Sequence, residues 1–568
     1  MIETTIAGFW HSRAKSLLTL ALFGTCLTQL HAQIVVDTPN LEDIQKELEV
    51  KSELTGRKMI GVVLPLDLDF FEEATYVELA DRGVWSLKVQ APGALATCLY
   101  FDDFHLPVGS ELRFETPEGA YDKTWVEGPL GAFENNDARR WSNNEVPGES
   151  LWMIYECPLG LTEHAALDIY GLGYFARHQN FPTPWQHNNV RGGGSAECQV
   201  DVNCPEGEGW ECEKNSVVRL RITTAEGIGL CTGAMVNNTA RDCRQLMLSA
   251  FHCVNDLEAD DWNVLKVQFN YEYFECGGTS SINSRTRTGV TPLTDSNDMP
   301  GGNNTGSDFV LCEVNQTIPD NWQPFYAGWD ASGYNGASGV SIHHPNGDRK
   351  KISTFTSPLT SDSWLPWTST NAHWRVIWSP TETDHGVTEG GSSGSPIFEE
   401  NHRIIGTLTG GGSFCSQPYQ ADLYGKMSYH WDGPNPIPTS AKLKAYLDPI
   451  GTGEEFMDGS YVQMDEEGSV SCDAYLACAV TATQVEEQFA AGLSVSPNPS
   501  KGLVRIALPS GFELAELQWF DSMGRALGES EGANFNGDLD LSAWGSGVRY
   551  VTVTTKDGWS TTRRVVVQ

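Results

Sequence analysis

The amino-acid sequence predicts an all-β protein built from several domains. Short stretches in which apolar and polar residues alternate recur along much of the chain, and clusters of Gly, Pro and Asn separate them. The Gly-, Trp- and Cys-rich region 198–459 contains such short stretches but no long period of the kind that an amphipathic helix shows. Since a domain usually holds roughly 100 to 200 residues, the chain of 568 residues is long enough for three or four domains.

The first 32 residues have the pattern of a signal peptide. A basic start at 11–15 precedes an apolar run at 16–27, and the small residue Ala32 stands before Gln33. A membrane anchor is the alternative, but the run is well short of the ~20 apolar residues that a spanning helix needs. We therefore expect export with cleavage after Ala32.

Residues 33–191 are predicted to form a β-rich unit. Alternating stretches such as 85–89 (WSLKV) and 151–155 (LWMIY) are broken by turn-forming residues, and this spacing is typical of a β-sandwich. The polar, glycine-rich stretch 187–198 follows, and we expect it to be exposed and open to proteolysis. It is the predicted boundary between this unit and the next.

Three further segments are predicted beyond this boundary. Residues 192–459 are expected to form an all-β barrel domain. Residues 460–490 are polar and acidic, which favours a linker, and Cys472 and Cys478 would close a small disulfide loop within it. Residues 491–568 return to short strands, which favours a second sandwich at the C-terminus.

The charge of the chain limits its partners. The formal net charge is -37, from 74 acidic and 37 basic side chains. Such an acidic surface argues against nucleic acid or an anionic membrane as the main partner. It is compatible with a soluble, exported protein that attracts cationic substrates.

The cysteines indicate disulfides rather than a metal site. One of the 14 cysteines, Cys26, leaves with the signal peptide, and the others would lie in an oxidising compartment. The chain has no CxxC pair, no HExxH motif and no Cys/His cluster with zinc spacing. No metal and no cofactor are therefore expected.

The segment 389–398 (EGGSSGSPIF) carries the strongest local signal for chemistry. Glycines flank Ser393 before a proline and a strand, which allows a sharp turn in which backbone N–H groups converge. A serine nucleophile needs such a turn, because the amides of Gly391 and Ser393 can then stabilise a developing oxyanion. An ordinary Gly/Ser turn or linker is the alternative interpretation.

Two upstream motifs supply candidate partners for this serine. His252 follows an apolar strand in LMLSAFHCVND, where a disulfide from Cys253, with Cys231 the best candidate, would hold its loop. Asp308 opens an apolar strand in GSDFVLCEVN, where burial would fix a carboxylate beside an imidazolium. Each residue alone also fits a structural histidine or a turn aspartate. The chain order histidine, aspartate, serine is that of the double β-barrel chymotrypsin fold.

The region 198–459 resembles the bacterial lysyl endopeptidases, a branch of the chymotrypsin-like serine proteases. The resemblance rests on CQVDVNCPEG, CTGAMVNNT, LSAFHC, GSDFVL, HHPNGDRKKIS, EGGSSGSP, ADLYGK and DPIGTGEEFMDG. It implies His252, Asp308 and Ser393 as a catalytic triad. It also implies three disulfides, Cys198–Cys415, Cys204–Cys276 and Cys231–Cys253, and leaves the pairing of Cys212, Cys243 and Cys312 open.

The same resemblance implies the substrate pocket. Asp422 in ADLYGK matches the acidic residue that receives a cationic side chain before the cleaved bond, because a desolvated carboxylate favours Lys or Arg over all others. A surface aspartate in a turn is the alternative. Trp364 matches the aromatic residue that lines the pocket, with Trp367 close enough to compete. Thr409 stands where a histidine is expected, so the preference for Lys over Arg stays open.

The two ends of the chain resemble other parts of exported proteins. Residues 491–568 resemble the type A C-terminal sorting domains of the type IX secretion system, through LSVSPNPSKGLVRI, FDSMGR, WGSGVRYVTV and TTRRVVVQ. The N-terminal unit resembles a protease pro-region, and its Cys98 and Cys157 could pair. A cut after Arg191, which makes Gly192 the new N-terminus, would release it.

The resulting hypothesis is an exported serine endopeptidase that cleaves after Lys, with Arg left open. It would act as a monomer on proteins and peptides, be delivered by the type IX machinery to the medium or the cell surface, and bind no nucleic acid. Two alternatives remain. One is a binding or adhesion protein on an inactive protease scaffold, and the other is an exported serine esterase. Against the esterase, GSSGSP has the β-barrel protease pattern and is not a nucleophile elbow after a buried parallel strand, as in α/β-hydrolases.

Overall fold

The computed structural model describes most of the chain after the first 31 residues. The described residues are 32–117, 126–177, 194–278, 285–297, 306–365, 369–433, 441–464, 470–472, 493–508, 514–521, 525–531, 538–556 and 560–567. Among them, no helix combines the length and apolar character that crossing a membrane requires.

The N-terminal unit is a two-layered β structure with one long helix. Its strands are β1 (Gln33–Val35), β2 (Lys58–Asp69), β3 (Thr75–Glu78), β4 (Arg82–Gln90), β5 (Ala96–His105), β6 (Glu111–Glu115), β7 (Val126–Leu130), β8 (Trp141–Ser142), β9 (Val146–Pro147), β10 (Ser150–Pro158) and β11 (Ala166–Phe175), and its helices are α1 (Leu41–Thr55) and α2 (Phe70–Glu73). One sheet has the order β1-β4-β10-β6-β7, and the other contains β2-β11-β5-β8. A shared aromatic core between them includes the stacked rings of Phe104 and Trp141.

Helix α1 departs from the predicted all-β character of this unit. The side chain of Asn40 accepts hydrogen bonds from the amides of Glu42 and Asp43 and so caps its first turn. Ile44 and Leu48 are buried, and the helix ends at Gly56, whose φ of 72° is left-handed. The helix therefore delivers Gly56 to a fixed position at the start of β2.

The central domain is a double β-barrel. Its strands are β12 (Val200–Asp201), β13 (Val217–Thr224), β14 (Gly227–Met235), β15 (Leu246–Ser249), β16 (Lys266–Phe269), β17 (Arg285–Thr288), β18 (Val290–Asp295), β19 (Val310–Val314), β20 (Phe325–Tyr326), β21 (Gly328–Asp330), β22 (Gly339–His343), β23 (Lys351–Phe355), β24 (Thr360–Asp362), β25 (His373–Val376), β26 (Pro396–Glu399), β27 (Arg403–Gly411), β28 (Asp422–Lys426), β29 (Phe456–Met457), β30 (Ser460–Tyr461), β31 (Gln463–Met464) and β32 (Val470–Ser471). Its helices are short: α3 (Glu211–Ser216), α4 (Met427–Asp432) and α5 (Lys444–Leu447).

Each barrel surrounds its own apolar core. The first barrel contains the path β17-β16-β13-β14-β15-β19-β18, and the second has the order β12-β23-β22-β26-β27-β28-β25-β24. A third cluster, which includes Trp329 and Trp431, packs between the barrels. The cleft between two such barrels is where loops from both can meet.

The N-terminal unit and the first barrel share one continuous sheet. Strand β2 pairs antiparallel with β14, with Gly61 opposite Ile228 and Lys58 opposite Leu230. A buried apolar cluster and a hydrogen bond of 2.9 Å between the hydroxyls of Tyr100 and Thr223 reinforce the junction. The two units therefore form a joined structure rather than beads on a flexible chain.

The C-terminal unit is a small β-sandwich. Its strands are β33 (Ser494–Ser496), β34 (Leu503–Ala507), β35 (Leu514–Asp521), β36 (Ala526–Glu531), β37 (Asp538–Asp540), β38 (Gly547–Thr555) and β39 (Ser560–Val567). They form the sheets β33-β34-β37 and β36-β35-β38-β39 around a core that includes Leu517 and Trp519.

The predicted linker after residue 459 begins as part of the barrel domain. Strand β30 pairs with β20, and Cys472 is buried in the core of the first barrel. Cys472 forms a disulfide with Cys243, so the prediction of a local Cys472–Cys478 loop was wrong. Polar composition alone does not distinguish a free linker from a segment that pairs with the barrel. Cys478 lies outside the described residues.

Candidate active site

The Ser393 turn is held tightly between the two barrels. Gly391 has a φ of 98°, and a Cβ there would lie 3.0 Å from both the His344 carbonyl oxygen and the Gly347 nitrogen. Thr232 of β14 donates its backbone N–H to the Ser393 carbonyl at 2.8 Å and its hydroxyl to the Gly391 carbonyl at 2.8 Å. The first barrel thereby fixes the backbone of a turn that belongs to the second.

These contacts leave the predicted oxyanion donors unused. Among the described residues, neither the Gly391 N–H nor the Ser393 N–H has a hydrogen-bond acceptor. Both carbonyls of the turn are satisfied by Thr232 on the opposite side. The arrangement could therefore supply two backbone donors to a developing negative charge.

His252 and Asp308 are joined by two hydrogen bonds. His252 Nδ1 lies 2.7 Å from Asp308 Oδ2, and the His252 backbone N–H donates to Asp308 Oδ1 at 2.9 Å. The Asp308 side chain is only 2% exposed. Burial raises the pKa of Asp308, but the charge and hydrogen bonds of His252 outweigh burial, so the net pKa lies below its usual range. The carboxylate therefore stays ionised and orients the ring.

Gly56 of the N-terminal unit lies at this site. The Ser393 hydroxyl donates to the Gly56 carbonyl oxygen at 3.3 Å. A Cβ at Gly56 would lie 2.8 Å from Cδ2 and 3.2 Å from Nε2 of His252, so the backbone of Gly56 fills the space beside the imidazole. The structure brings His252, Asp308 and Ser393 into one cleft, with the end of α1 placed over it.

A buried histidine that the sequence analysis missed supports the residue before the serine. His343 Nδ1 lies 2.7 Å from Ser392 Oγ, and its Nε2 lies 3.0 Å from Ser353 Oγ. Burial and then the charge of Lys351 lower the pKa of His343 to about 3, so the ring is neutral. Only the adjacent histidines of HHPNGDRK hinted at this role, and nothing in their spacing pointed to Ser392.

Asp422 is fully buried and contacts Thr388, which precedes the Ser393 turn. Its carboxylate accepts hydrogen bonds from Trp378 Nε1 at 2.6 Å, Thr388 Oγ1 at 2.7 Å and Ser413, whose hydroxyl and amide lie at 2.5 and 3.1 Å. Burial raises the pKa of Asp422 and outweighs the opposing effect of these bonds. The three donors were not identified from the sequence, because no local motif connects them.

The end of strand β27 connects Asp422 with Trp364. A Cβ at Gly410 would lie 2.8 Å from Cη2 of Trp364, and one at Gly411 would lie 2.0 Å from Asp422 Oδ1. Both side chains therefore line the same short stretch of backbone. Trp367, the competing aromatic residue, lies outside the described residues.

The histidine beside Trp364 is His373 of β25, whereas the family pattern suggests a histidine at position 409 of β27. The rings of His373 and Trp364 are 6.3 Å apart, and His373 Nε2 lies 3.0 Å from Thr409 Oγ1. Burial is the main cause that lowers the pKa of His373 to about 4, so the ring is neutral. Thr409 thus contacts a histidine instead of being replaced by one.

The structure contains the disulfides Cys198–Cys415, Cys204–Cys276 and Cys231–Cys253, together with Cys243–Cys472. Cys212 is disulfide-bonded as well. Cys98 and Cys157 are both free thiols, so their suggested pairing was wrong; they lie on strands of different sheets. Cys312 is a buried free thiol.

The predicted processing positions and a possible metal site lie away from the proposed substrate pocket in the sequence. The Ala32 amide donates to Thr75 Oγ1 at 2.8 Å at the start of the described chain, whereas Arg191 and Gly192 lie outside the described residues. Within the described part of the chain, Cys231, His252 and Cys253 are close enough together to suggest a metal site. The two cysteines are joined in a disulfide, so they offer no thiolate to a metal ion.

The central domain is a double β-barrel with a serine, a histidine and a buried aspartate in its cleft, an arrangement that is typical of chymotrypsin-like serine proteases. Residues 192–425 match the family described as lysyl endopeptidase, C-terminal domain. Residues 494–568 match the secretion system C-terminal sorting domain, which indicates export to the cell surface or the medium. The resemblances predicted for these two segments are confirmed.

Individual relatives agree with the family match. A lysyl endopeptidase of Pseudomonas aeruginosa is 34% identical over 241 residues, which are 40% of this chain and 48% of the relative. The chain thus spans about half the length of the curated relative it matches.

Proteases of known structure overlap part of the chain. The thermostable serine protease AL20 is 15% identical, with a TM-score of 0.27, and covers 38% of this chain and 93% of its own. The protease Anisep from Arthrobacter nicotinovorans is 16% identical, with a TM-score of 0.28, and covers 38% and 90%. Overlaps at these TM-scores carry no argument about function.

Proposed function

We propose that the protein is a secreted serine endopeptidase that cleaves peptide bonds after Lys, made as an inactive proform. The observation that carries this proposal is the 2.7 Å contact between His252 Nδ1 and Asp308 Oδ2 beside the Ser393 turn, whose Gly391 and Ser393 N–H groups have no acceptor among the described residues. This arrangement suits acyl transfer, in which a hydroxyl attacks a carbonyl carbon and a negative charge develops on its oxygen.

In the proposed reaction, Ser393 Oγ attacks the carbonyl carbon while His252 Nε2 accepts its proton. Asp308 holds the ring with Nδ1–H directed at the carboxylate and stabilises the imidazolium. The amides of Gly391 and Ser393 stabilise the oxyanion. His252 then protonates the leaving amine. In the second half of the reaction His252 accepts a proton from water, which attacks the acyl carbon, and returns that proton to Ser393 Oγ.

The pocket supports a preference for a cationic side chain before the cleaved bond. Asp422 supplies a desolvated negative charge, and a substrate without a cation would leave that charge without a counterion. The aromatic face of Trp364 and the neutral ring of His373 line the approach and suit the long apolar stem of lysine. The name of the relative, lysyl endopeptidase, supports a preference for Lys over Arg.

The proform would be inactive because the end of helix α1 occupies the cleft. The Gly56 carbonyl oxygen accepts a hydrogen bond from the Ser393 hydroxyl and none from the Gly391 and Ser393 amides. The Gly56 peptide bond is therefore not positioned for attack by Ser393. A cut after Arg191, by the enzyme itself or by another trypsin-like protease, would be needed before this unit can leave. The C-terminal sandwich would then serve as an address for the type IX secretion machinery, as its family match suggests.

The test of the proposed nucleophile uses purified Ser393→Ala. We expect turnover of lysyl peptide substrates to fall by a factor on the order of 10⁴ to 10⁶, with labelling by a serine hydrolase probe abolished and the melting temperature retained. Ser395→Ala is the matched control, because its hydroxyl lies two residues away and is bonded to Ser341. Substantial peptidase activity in Ser393→Ala would exclude the assignment. Cleavage of simple esters but not of peptides by the wild type would favour the esterase alternative.

A further inference from the structure

We propose that the cleft contains a second acidic subsite, on the leaving-group side of Ser393, that binds an arginine side chain. It is formed by Asp256, the Cys253 carbonyl and the backbone of Gly229. The inference deepens the proposed function and rests on it, since a leaving-group subsite has meaning only if a chain is cleaved at Ser393.

The direction of the N-terminal segment places Arg57 in this position. The Gly56 carbonyl lies at the Ser393 hydroxyl, so Arg57 is the residue that follows the carbonyl nearest the nucleophile. The next residues, Lys58 and Met59, continue as strand β2 and pair antiparallel with Leu230 and Gly229 of β14. An extended substrate can add to the same sheet edge in the same direction once β2 has left.

The arginine side chain fits the subsite closely and is only 1% exposed. Its Nη1 donates to the Cys253 carbonyl at 3.3 Å, and its Nη2 forms an ion pair with Asp256. The stem lies on β14, because a Cβ at Gly229 would come within 3.2 Å of its Cβ and 3.3 Å of its Cδ. The glycine leaves room for the stem, and the two acceptors receive the head.

The acceptors favour a cation that carries several donors. A carbonyl and a carboxylate side by side can both accept from one planar guanidinium, whose charge also neutralises the carboxylate. A neutral donor leaves that charge uncompensated, and an acidic side chain offers no donor and repels the carboxylate. The Asp256 side chain is 31% exposed even with arginine bound, so water can solvate it when other residues are present. The subsite should therefore attract arginine without strictly excluding other residues.

Together with Asp422, this subsite places an acidic group on each side of the cleaved bond. Asp422 is buried on the acyl side, and Asp256, whose side chain keeps 31% of its surface exposed, lies on the amine side. The substrate class that both sites fit is a pair of basic residues, Lys followed by Arg, with cleavage between them.

The experiment measures binding on the leaving-group side alone, because it compares how the acyl-enzyme divides between attack by an added amine and attack by water. The naturally processed mature enzyme is given an N-acyl-lysine methyl ester together with argininamide, citrullinamide or alaninamide. The amine nitrogen attacks the acyl carbonyl and forms a C–N bond, while Ser393 Oγ leaves and takes up a proton through His252. Water competes for the same acyl-enzyme and gives the acid. The ratio of amide to acid product at equal amine concentration measures binding of the incoming residue.

We expect the enzyme to prefer argininamide over citrullinamide about tenfold. The guanidinium charge strengthens the hydrogen bond to Asp256, and screening by solvent keeps this gain moderate. Asp256→Asn should bring the two within about twofold of each other. Gly229→Ala should lower the argininamide ratio relative to the alaninamide ratio, since a methyl group would meet the stem. Glu258→Gln, an exposed acidic residue in the same loop, is the matched control and should keep the arginine preference.

Equal partition to argininamide and citrullinamide in the wild type would overturn the inference. An arginine preference that survives in Asp256→Asn would overturn it as well. Absence of ester hydrolysis in the wild type would instead overturn the proposed function, so the two failures are distinguishable.

Discussion

Asp422 combines complete burial with hydrogen bonds from three side chains. The donors Trp378, Thr388 and Ser413 hold the carboxylate in one orientation, yet burial raises its pKa above the usual value. The site is therefore arranged to present a negative charge whose ionisation is costly without a cation. In the proposed pocket, this balance would make the preference for a cationic side chain depend on pH.

The first prediction concerns this pH dependence. The ratio of kcat/KM for a lysyl substrate to kcat/KM for its norleucyl analogue should fall as the pH is lowered, because protonation of Asp422 removes the attraction for lysine. Since the pKa of Asp422 is raised, the fall should begin at a higher pH than an ordinary aspartate, with a pKa of about 3.9, would give.

The ratio cancels the titration of the catalytic base, because His252 would have to accept the Ser393 proton with either substrate. Steady-state kinetics with the pair of substrates across the acid range provides the measurement. A constant ratio down to the ordinary aspartate range would show that another group sets the preference.

Residue-level features of the site were predictable to different degrees. Ser393, His252 and Asp308 stood out because each lies in a short motif with a chemical reason for its neighbours. His343 did not, because its partner Ser392 is 49 residues away and the contact is made only by the folded barrel. Long-range hydrogen bonds leave no local spacing that a sequence could display.

At the scale of single elements, helix α1 is the feature on which the proposed inactive proform depends. Its start and end had recognisable signals, since Asn40 precedes the apolar residues Leu41, Ile44 and Leu48 at helical spacing and Gly56 follows the last turn. The alternating stretches that surround it dominated the interpretation of the unit as β-rich. That the helix ends at the active site could not be predicted, because it depends on pairing between β2 and β14.

The second prediction tests the contact made by the end of this helix. Gly56→Ala, in a full-length chain with Arg191→Gln to slow processing, should react faster with a serine hydrolase probe. Alanine is strained at a φ of 72°, and its Cβ would lie 2.8 Å from His252 Cδ2, so the segment should be displaced from the cleft.

Gly109→Ala is the matched control for backbone strain. Gly109 has a φ of 91° in the same unit, but a Cβ there would meet nothing within 4 Å. Labelling rates of the intact proforms are compared by gel fluorescence. If Gly56→Ala reacts no faster than Gly109→Ala, the end of the helix does not block the nucleophile.

At the scale of the whole molecule, the N-terminal unit binds the first barrel through buried charges of opposite sign. Glu145 forms ion pairs with Arg219 at 3.2 Å and with Arg221 at 3.6 Å, and all three side chains are almost completely buried. Burial raises the pKa of Glu145, but the charges of Arg221 and Arg219 outweigh burial and lower it overall. Breaking one partner of such a group leaves uncompensated buried charge.

The third prediction follows from the lowered pKa of Glu145. A carboxyl group whose pKa is lower in the folded state stabilises it above the pKa of the unfolded state. This stabilisation is lost as the pH falls through the folded pKa. Near neutral pH, Glu145→Gln should therefore lower the free energy of unfolding of the intact chain by about 3 to 5 kcal/mol, and its melting temperature with it. The difference from wild type should shrink in acid.

Thermal denaturation of both proforms over a series of pH values provides the measurement, with Ser393→Ala as the background to prevent self-cleavage. Glu149→Gln is a suitable control, since Glu149 bonds only within the N-terminal unit at Gln90 and Gly93. A difference between Glu145→Gln and wild type that does not depend on pH would show that Glu145 is not ionised in the interface.

The overall architecture was predicted better than the connections within it. Turn spacing indicated an N-terminal sandwich, a barrel domain and a terminal sandwich, because each has a local strand pattern. The shared sheet and the Cys243–Cys472 disulfide were not predicted, since the two cysteines are 229 residues apart and several other pairings were available. Composition also placed 460–490 in a linker, although 460–461 pair with β20 and Cys472 is bonded to Cys243 in the barrel domain.

The most direct test of the central claim is the identification of cleavage sites in a denatured protein digested by the mature enzyme. Mass spectrometry of the products should show cleavage almost entirely after Lys. Asp422→Asn should cut these sites on the order of 30-fold or more slowly, because losing a desolvated charge partner costs about 2 to 5 kcal/mol, while any cleavage after apolar residues should change little. Cleavage without preference for basic residues in the wild type, or an unchanged lysine preference in Asp422→Asn, would contradict the assignment of the pocket.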